Sequence, residues 1–320
     1  MNSYVCESDI DLTSSTITEL NSLPYFAIAG NNSNKLLLKP EKDEYSINER
    51  TRSIEIENTK KLVSLIKKNC KQFLDKQLHF YRGVGRQYVI GDYILDDPEF
   101  ETDLRKEHKN KFHTLFCTYL PSWDLYPSRK PNECNIASYS FKEAKRYTEG
   151  HIGNEFETGD VYCAIPYDDA MFGMTNKLAK DFWYVFNNKL KIVIDDDNTN
   201  LNDFNNHLAD CFSLCRIRVD DTSWDSLKNA LLRIDKSKIL MQKLINYSNV
   251  FEYYHENKEE GNFKDILDFF DWVFNPEDAK VKSLPYSSMP NEKERVSEVW
   301  TESPIILIKK SIFDKVILEF

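Results

Sequence analysis

About one hundred residues, from about 176 to 275, have helical periodicity almost without interruption, and strand-like segments lie on both sides of them. Five segments in this part of the chain each place apolar residues on one face of a helix: 177–190, 201–215, 224–234, 240–254 and 263–274. Segments near 80, 136 and 162, and those at 298–320, have strand character. This order does not alternate strand and helix regularly. We therefore predict an α+β fold in which a large helical insertion, at about 175–285, interrupts a sheet.

Two sequence features exclude broad classes of function. Neither a G-x-G-x-x-G nor a G-x-x-x-x-G-K-[ST] motif follows a predicted strand, which argues against a Rossmann dehydrogenase and against a P-loop enzyme. The 52 acidic residues outnumber the 42 basic ones and give a net charge of −10, which repels polyanions. We therefore expect no nonspecific binding to nucleic acid.

The composition and the cysteines indicate an ordered protein of a reducing compartment. Apolar residues make up 41% of the 320 residues, and the 9 glycines leave no room for flexible linkers. The seven cysteines are scattered and do not form a disulfide framework. The N-terminal MNSYVCESDIDL is acidic where a secretory signal would be basic and apolar, and no stretch approaches about 18 uninterrupted apolar residues. We expect a cytoplasmic protein without a membrane span.

The first half of the chain divides into a polar flank and a series of short elements. We predict that residues 1–53 form a flanking layer on one domain that comprises residues 54–320. Apolar residues that recur at three and four positions predict a helix over 54–77, and a strand with two glycines at its end follows at 78–85. FHTLFCTYL (112–120) suits a buried strand or a short helix.

A proline-containing loop leads to the next strand. PSWDLYPSRKP (121–131) contains three prolines and predicts a loop in which Arg129 and Lys130 are solvated, with contact to a ligand phosphate as the alternative. The next segment changes from strand to helix at Ser140, which is a good N-cap, and Glu143 completes a capping box.

Further strands are predicted in the second half. DVYCAIPY (160–167) alternates like a strand with a polar start, and KIVIDDD (191–197) suits a strand that enters an acidic turn. Three pieces with strong strand character follow at the C-terminus: ERVSEVW (294–300), PIILIKK (304–310) and KVILEF (315–320).

Three short segments that are far apart in the chain form a recognisable series. They are FYRG (80–83), NIASYSFKEAKRY (135–147) and SEVWTESPIILI (297–308). Together they resemble the three-part signature of the ADP-ribosyltransferases of the arginine-serine-glutamate class. In that family an aromatic-Arg-Gly strand comes first, a Ser-Thr-Ser strand followed by a helix comes second, and a glutamate before an apolar strand comes third. The resemblance covers about 30 of the 320 residues.

The resemblance implies a fold, a substrate and a set of site residues. The fold is a split, mixed or antiparallel sheet of ADP-ribosyltransferase type with N-terminal helices, and the substrate is NAD. Arg82 takes the place of the family's arginine, and Glu298 takes that of its catalytic glutamate. Ser138 belongs to the serine motif and is the third catalytic candidate. The implied contacts to NAD are Tyr81, Arg82, Gly83, Ser138, Tyr139 (in place of the threonine), Ser140 and Phe141.

Two features depart from the family's pattern. Ser138 and Glu298 are 160 residues apart (298 minus 138), a gap that we assign to the helical insertion. Val296 stands two positions before Glu298, where family members that modify arginine have a second glutamate. Arginine is therefore not implied as the acceptor, unless Glu294 or Glu302 approaches from a neighbouring turn.

The three catalytic candidates suit the cleavage of the bond between nicotinamide and ribose. Breaking this bond builds positive charge on the ribose, so a carboxylate that accepts a hydrogen bond from the neighbouring 2-hydroxyl gains strength in the transition state. Glu298 is the candidate for this role. Arg82 offers planar, charged donors to the pyrophosphate, and Ser138 offers a hydroxyl that orients the carboxylate. The aromatic members of the set would stack on nicotinamide.

The leading functional hypothesis is therefore a mono-ADP-ribosyltransferase-like enzyme. It takes NAD, releases nicotinamide and passes ADP-ribose to a macromolecular acceptor, for which a protein is favoured, or to water. Enzymes of this family are frequent among phage and bacterial effectors, which suggests a phage or bacterial origin. A phage-encoded protein of this kind would act in the host cytoplasm.

Two other functions stay open. A noncatalytic interaction protein would bind a protein partner through residues 176–275, with exposed aromatic anchors. The candidate anchors, which belong to the core if they are buried, are Phe182, Trp183, Tyr184, Phe269, Phe270 and Trp272. An enzyme that removes a nucleic-acid base also passes through a ribosyl cation. It would need a local basic strip to offset the net charge, for example Lys60, Lys61, Lys67 and Lys68.

No metal site is predicted. His207, Cys211 and Cys215 would share one helical face, but their spacing matches no standard zinc motif, and we expect them to face the core. Asp195–Asp197 lacks the ordered pattern of a calcium loop and is expected to be an exposed turn.

Overall fold

Ten short strands form one antiparallel sheet, and helices pack against it. The computed structural model describes residues 26–29, 36–39, 47–48, 53–85, 91–98, 112–129, 134–148, 159–175, 182–194, 201–291 and 298–320. The strands are β1 Phe26–Ala29, β2 Leu36–Lys39, β3 Ile47–Asn48, β4 Ser53–Glu55, β5 Phe80–Val84, β6 Tyr93–Asp96, β7 Asn135–Ser138, β8 Asp160–Pro166, β9 Met171–Met174, β10 Lys282–Pro285, β11 Glu298–Thr301 and β12 Ile305–Lys309. The helices are α1 Thr59–Asn69, α2 Lys71–Lys76, α3 Phe112–Tyr119, α4 Phe141–Arg146, α5 Asn187–Ile194, α6 Leu201–Leu214, α7 Trp224–Lys236, α8 Lys238–Ile245, α9 Asn249–Glu259, α10 Ile266–Val273 and α11 Lys310–Ile317. The predicted α+β class is confirmed.

The large sheet is folded on itself. Its strand order is β10-β9-β11-β7-β5-β8-β12-β6-β4-β3. Four strand spacings, about 19 Å in a flat sheet at about 4.8 Å each, therefore separate β11 from β12. Only Glu302–Pro304 connects Thr301 of β11 to Ile305 of β12, and such a chain spans at most about 14 Å. The side-chain amide of Asn135 in β7 also donates a hydrogen bond of 3.1 Å to the carbonyl of Asp96 in β6, four strands away. The two halves of the sheet must therefore fold towards each other.

Folding gives the sheet an inner and an outer face. Residues alternate between the faces along a strand, and residues directly opposite in antiparallel strands share a face. Phe80, Ala137 and Val299 lie on the inner face and belong to a core that also includes residues of α1 and α2. Ile136 and Trp300 lie on the outer face, where they pack against the helices of the second half. The outer face of β7 and β11 is thus the surface between the sheet and the helical block.

The helical block comprises α3 and α5–α10, and most of it lies between β9 and β10 in the chain. Its centre is aromatic: the Phe116 ring stacks on Phe270 at 4.6 Å and on Phe274 at 5.2 Å between centroids. Of the helices predicted in this part of the chain, those at 201–215, 224–234 and 263–274 are confirmed, and the one at 240–254 is divided into α8 and α9. Of the one at 177–190, residues 177–181 lie outside the described residues, and α5 begins only at Asn187. Within the ranges that the structure describes, no helix is both long enough and apolar enough to cross a membrane.

Two segments predicted as strands are helical. Residues 191–194 end α5, and most of KVILEF belongs to α11 or to the turn after it. In each helix two buried apolar residues, Leu190 with Val193 and Phe313 with Val316, are three positions apart and face one side. A short apolar run does not by itself distinguish a strand from a buried helix. Each of these segments is buried on one side only, which is the pattern of a helix packed on a core.

The elements that carry the three motifs are placed as the sequence predicts. FYRG lies in β5, NIAS forms β7, and the glutamate motif begins β11. The helix predicted at 54–77 is divided into α1 and α2, with Cys70 between them, and its first residues belong to β4. The predicted acidic turn Asp195–Asp197 lies outside the described residues, as do Lys130, Glu294 and Val296 and most of the predicted flanking layer 1–53.

Candidate functional site

The three motifs meet in one row across three neighbouring strands. Ser138 in β7 lies directly opposite Glu298 in β11 and directly opposite Tyr81 in β5. The three side chains therefore share the outer face of the sheet. The serine and the glutamate, which are 160 residues apart in the sequence (298 minus 138), become cross-strand neighbours.

Glu298 is buried on this face and its charge is paired. The residue is 4% exposed, and its Oε1 accepts a hydrogen bond from Nη2 of Arg129 in a buried ion pair. Its backbone is fixed as well. The N–H of Glu298 donates to Oγ1 of Thr175 at 3.0 Å, and the N–H of Thr175 donates to the Glu298 carbonyl at 3.0 Å. The carboxylate is thus held on both sides, through its main chain and through its charge.

Arg129 is not solvated, and the prediction of a solvated position for it is wrong. The residue is 6% exposed. The guanidinium carbon lies 4.6 Å from the centre of the Phe182 ring and 5.3 Å from that of Trp300, an arrangement in which a cation is attracted by the ring faces. Since the loop around Arg129 must meet Glu298, it packs into the molecule instead of extending into water.

Two further hydrogen bonds hold the Arg129 segment on β11. The carbonyl of Pro127 accepts a hydrogen bond of 3.1 Å from the indole N–H of Trp300. The N–H of Ser128 donates to Oε1 of Glu302 at 3.0 Å. Three consecutive residues, 127–129, therefore each contact β11 or the residue just after it.

The surroundings of Arg129 keep its guanidinium protonated. Burial lowers the pKa of Arg129, while the charge of Glu298 raises it, and the net result is a pKa above the ordinary value. Burial also raises the pKa of the nearby Cys117 thiol well above its ordinary value, which keeps that thiol neutral. Among these groups, Arg129 therefore carries the positive charge that faces Glu298.

Ser138 and Ser140 connect the row to the following helix. The Ser138 hydroxyl oxygen accepts a hydrogen bond of 3.0 Å from the N–H of Ser140. The Ser140 hydroxyl oxygen in turn accepts one of 3.3 Å from the N–H of Glu143, so the predicted N-cap of α4 is confirmed. The Ser138 hydroxyl still has a proton to donate. Its position opposite Glu298 is compatible with the predicted orienting role, which stays a prediction.

Arg82 lies on the other face of the sheet. It follows Tyr81 in β5, so its side chain points to the inner face, away from Ser138 and Glu298. There its Nη1 is 2.7 Å from Oδ2 of the buried Asp96 and donates to Oδ1 of Asn135 at 3.0 Å. The structure therefore brings Ser138 and Glu298 together but does not bring the Arg82 guanidinium to them. In the described contacts Arg82 connects the two folded halves of the sheet.

The remaining predicted contact residues differ in their accessibility. Tyr81 is half-buried and meets Phe141 edge to face at 5.7 Å between ring centres, and Phe141, which is 44% exposed, is accessible to a ligand. Tyr139 is 4% exposed, packs edge-on against Phe80 and donates its hydroxyl to the Pro290 carbonyl at 3.0 Å. A Cβ on Gly83 would lie 1.9 Å from the backbone oxygen of Ala144 in α4. Gly83 thus permits the close contact between α4 and β5.

The candidates for a metal site and for exposed anchors have other structural roles. In the described part of the chain, no group of three or more His, Cys, Asp or Glu side chains is placed to hold a metal. Nε2 of His207 instead lies 2.6 Å from the Ser248 hydroxyl. Phe182, Phe269 and Phe270 are buried and therefore belong to the core, whereas Tyr184 is 59% exposed.

The site is a sheet face on which a serine and a glutamate are both buried, with an arginine supplied by a distant loop. Sequence reasoning missed the role of Arg129, whose partner Glu298 is 169 residues away. Comparisons with family models, with curated proteins and with solved structures gave no match.

Proposed function

We propose that this protein cleaves NAD at the bond between nicotinamide and ribose and transfers ADP-ribose to a macromolecular acceptor or to water. The observation that carries the proposal is the row of Tyr81, Ser138 and Glu298 on one sheet face. Each residue comes from a different motif of the family signature. The sequence order alone did not require the motifs to be neighbours in space, so their meeting supports the resemblance. The split sheet implied by the resemblance is likewise supported by the folding of the ten strands.

Glu298 has the central role in this reaction. As the bond breaks, nicotinamide leaves with the bonding electron pair, and the ribose carries positive charge at the anomeric carbon. Glu298 accepts a hydrogen bond from the ribose 2-hydroxyl and stabilises this charge. The acceptor's nucleophile then forms the new bond to the anomeric carbon and loses its proton. Tyr81 and Phe141 offer ring faces and edges for nicotinamide beside the carboxylate.

We assign Arg82 a different kind of role from that of Glu298. Its guanidinium is neutralised by Asp96, so a dinucleotide phosphate would have to compete with that carboxylate. Direct contact between Arg82 and the dinucleotide therefore stays a prediction. The role that its described contacts support is to keep β5, β6 and β7 in place beneath the site.

Labelled NAD tests the transfer reaction and identifies its acceptor. The protein is incubated with NAD labelled in the adenylate part and with a bacterial lysate, and the labelled species is identified by mass spectrometry. We expect a labelled macromolecule, or free labelled ADP-ribose, with the wild-type protein and with Glu319→Gln, which alters an exposed glutamate. We expect neither product with Glu298→Gln. Equal labelling by wild type and Glu298→Gln would overturn the assignment of Glu298.

The alternative of a noncatalytic interaction protein has lost its main anchors. Phe182, Phe269 and Phe270 are each at most 1% exposed and account for the core of the helical block. A partner surface built on these rings would require the block to open. We therefore propose the enzyme and leave protein binding through this block as the outcome that an inactive protein would favour.

A further inference from the structure

A buried ion pair that holds a sheet and a loop together has a large desolvation cost. Taking two charges out of water costs several kcal/mol per ion, and apolar side chains of similar volume are often as stabilising or more so. Arg129 adds to this cost because its Nε is buried and has no hydrogen-bond partner among the described residues. Packing alone therefore does not explain why Glu298 faces an arginine and not an apolar side chain.

The geometry points to Arg129 as the positioning residue for Glu298, an inference that rests on the proposed function. Arg129 itself need not touch NAD. It acts by holding the carboxylate at one place on the outer face, beside Ser138, so that the 2-hydroxyl of a bound ribose meets a fixed acceptor. A misplacement of about 1 Å at a reacting group costs about 100-fold in rate.

Arg129 is suited to this role because it is itself held from several directions. Phe182 and Trp300 flank its guanidinium, and the hydrogen bonds of Pro127 and Ser128 attach the preceding backbone to Trp300 and Glu302. The planar guanidinium has fixed donor directions, so a carboxylate paired with it has few orientations. Ser138 lies opposite Glu298 on the neighbouring strand and limits the orientation further.

The attachment of the Arg129 segment distinguishes positioning from blocking. A loop that had to release Glu298 before each turnover would be attached loosely. The segment 127–129 is attached to β11 and Glu302 at three consecutive residues, which favours positioning over blocking.

Steady-state kinetics of nicotinamide release test this role. The variants are Arg129→Lys, which keeps the charge but not the planar fork, Arg129→Met, which keeps only the apolar contacts, and Arg218→Met, a control at an exposed arginine. We expect kcat to fall about 10-fold in Arg129→Lys and about 100-fold in Arg129→Met, with KM for NAD changed less than about 2-fold in both. Arg218→Met should match the wild type.

The split between kcat and KM separates positioning from simple support of the fold. If Arg129 only stabilised the protein, activity would fall with the folded fraction, which circular dichroism at the assay temperature measures, and Arg129→Lys and Arg129→Met would be equal once corrected for it. That result overturns the inference, and so does a kcat that rises in Arg129→Met, because it would make Arg129 a blocking residue. Should Arg129→Met fail to fold, an unchanged kcat in Arg129→Lys overturns it alone.

Failure of this inference and failure of the proposed function give different results. If the wild type releases nicotinamide, Glu298→Gln does not, and Arg129→Met keeps the wild-type kcat, the function stands and the positioning role falls. If the wild type releases no nicotinamide with any acceptor or with water, the proposed function falls and the positioning role falls with it.

Discussion

Replacing Arg129 by methionine should destabilise the protein strongly, whatever the protein does. The substitution leaves an apolar side chain against Phe182 and Trp300 but removes the cation that faces Glu298. Glu298 is 4% exposed, so water cannot replace that cation without a local opening of the structure. Removing one partner of a buried pair costs about 3–5 kcal/mol, because the other charge is left buried without compensation.

The loss corresponds to a measurable shift in melting temperature. With an unfolding entropy of about 2.1 cal/mol/K per residue, a loss of about 3–5 kcal/mol lowers Tm by about 4–7 °C for a chain of this length. Urea unfolding followed by tryptophan fluorescence gives the free energy directly, by linear extrapolation to water. Removing both charges, in Arg129→Met with Glu298→Met, should restore the stability to within about 1 kcal/mol of the wild type.

The single and the double variant together test whether Arg129 and Glu298 form a buried pair. A loss below about 1 kcal/mol in Arg129→Met would mean that Glu298 is not buried against this arginine. A double variant as unstable as the sum of the two single variants would mean that the two side chains do not interact. The exposed-site control Arg218→Met should stay within about 0.5 kcal/mol of the wild type.

Three further predictions concern the frame of the site. Gly83→Ala should lose about 1–3 kcal/mol in urea unfolding, since its Cβ would collide with the backbone oxygen of Ala144; an unchanged midpoint would contradict this contact. Ser140→Ala should lose about 1 kcal/mol in the same assay through the missing cap of α4, and no loss would show that the cap is dispensable. Burial raises the pKa of the Cys163 and Cys211 thiols to about 12, so at pH 8 a thiol reagent should modify them only after unfolding. Mass-spectrometric detection of either adduct in the native protein would contradict their burial.

Local patterns were sufficient to predict the elements that carry the motifs. The alternation in β8, the glycines at the end of β5 and the cap at Ser140 each depend on neighbouring residues, and the structure confirms all three elements. Local patterns failed where burial on one side decides between helix and strand, as in the C-terminal helix α11. There Phe313 and Val316 are buried against the sheet, which the sequence around them does not reveal.

Sequence patterns could not predict contacts between residues that are far apart in the chain. Arg129 lies in a proline-containing segment of the kind that is usually solvated, and its partner Glu298 is 169 residues away. Arg82 was expected beside Glu298 because their motifs belong together. The alternation of side chains along β5 instead directs Arg82 to Asp96, which the folding of the sheet brings within 2.7 Å. Both outcomes depend on tertiary structure, which a pattern of neighbouring residues does not encode.

The initial rate of nicotinamide release from NAD, compared between the wild type and Glu298→Gln at equal folded concentration, decides whether Glu298 stabilises the positive ribose. We predict release by the wild type and a kcat lower by about 100- to 1,000-fold in the variant, with little change in KM, because the lost interaction forms only as the ribose becomes positive. Release at the same rate by both proteins, or by neither, would contradict this prediction.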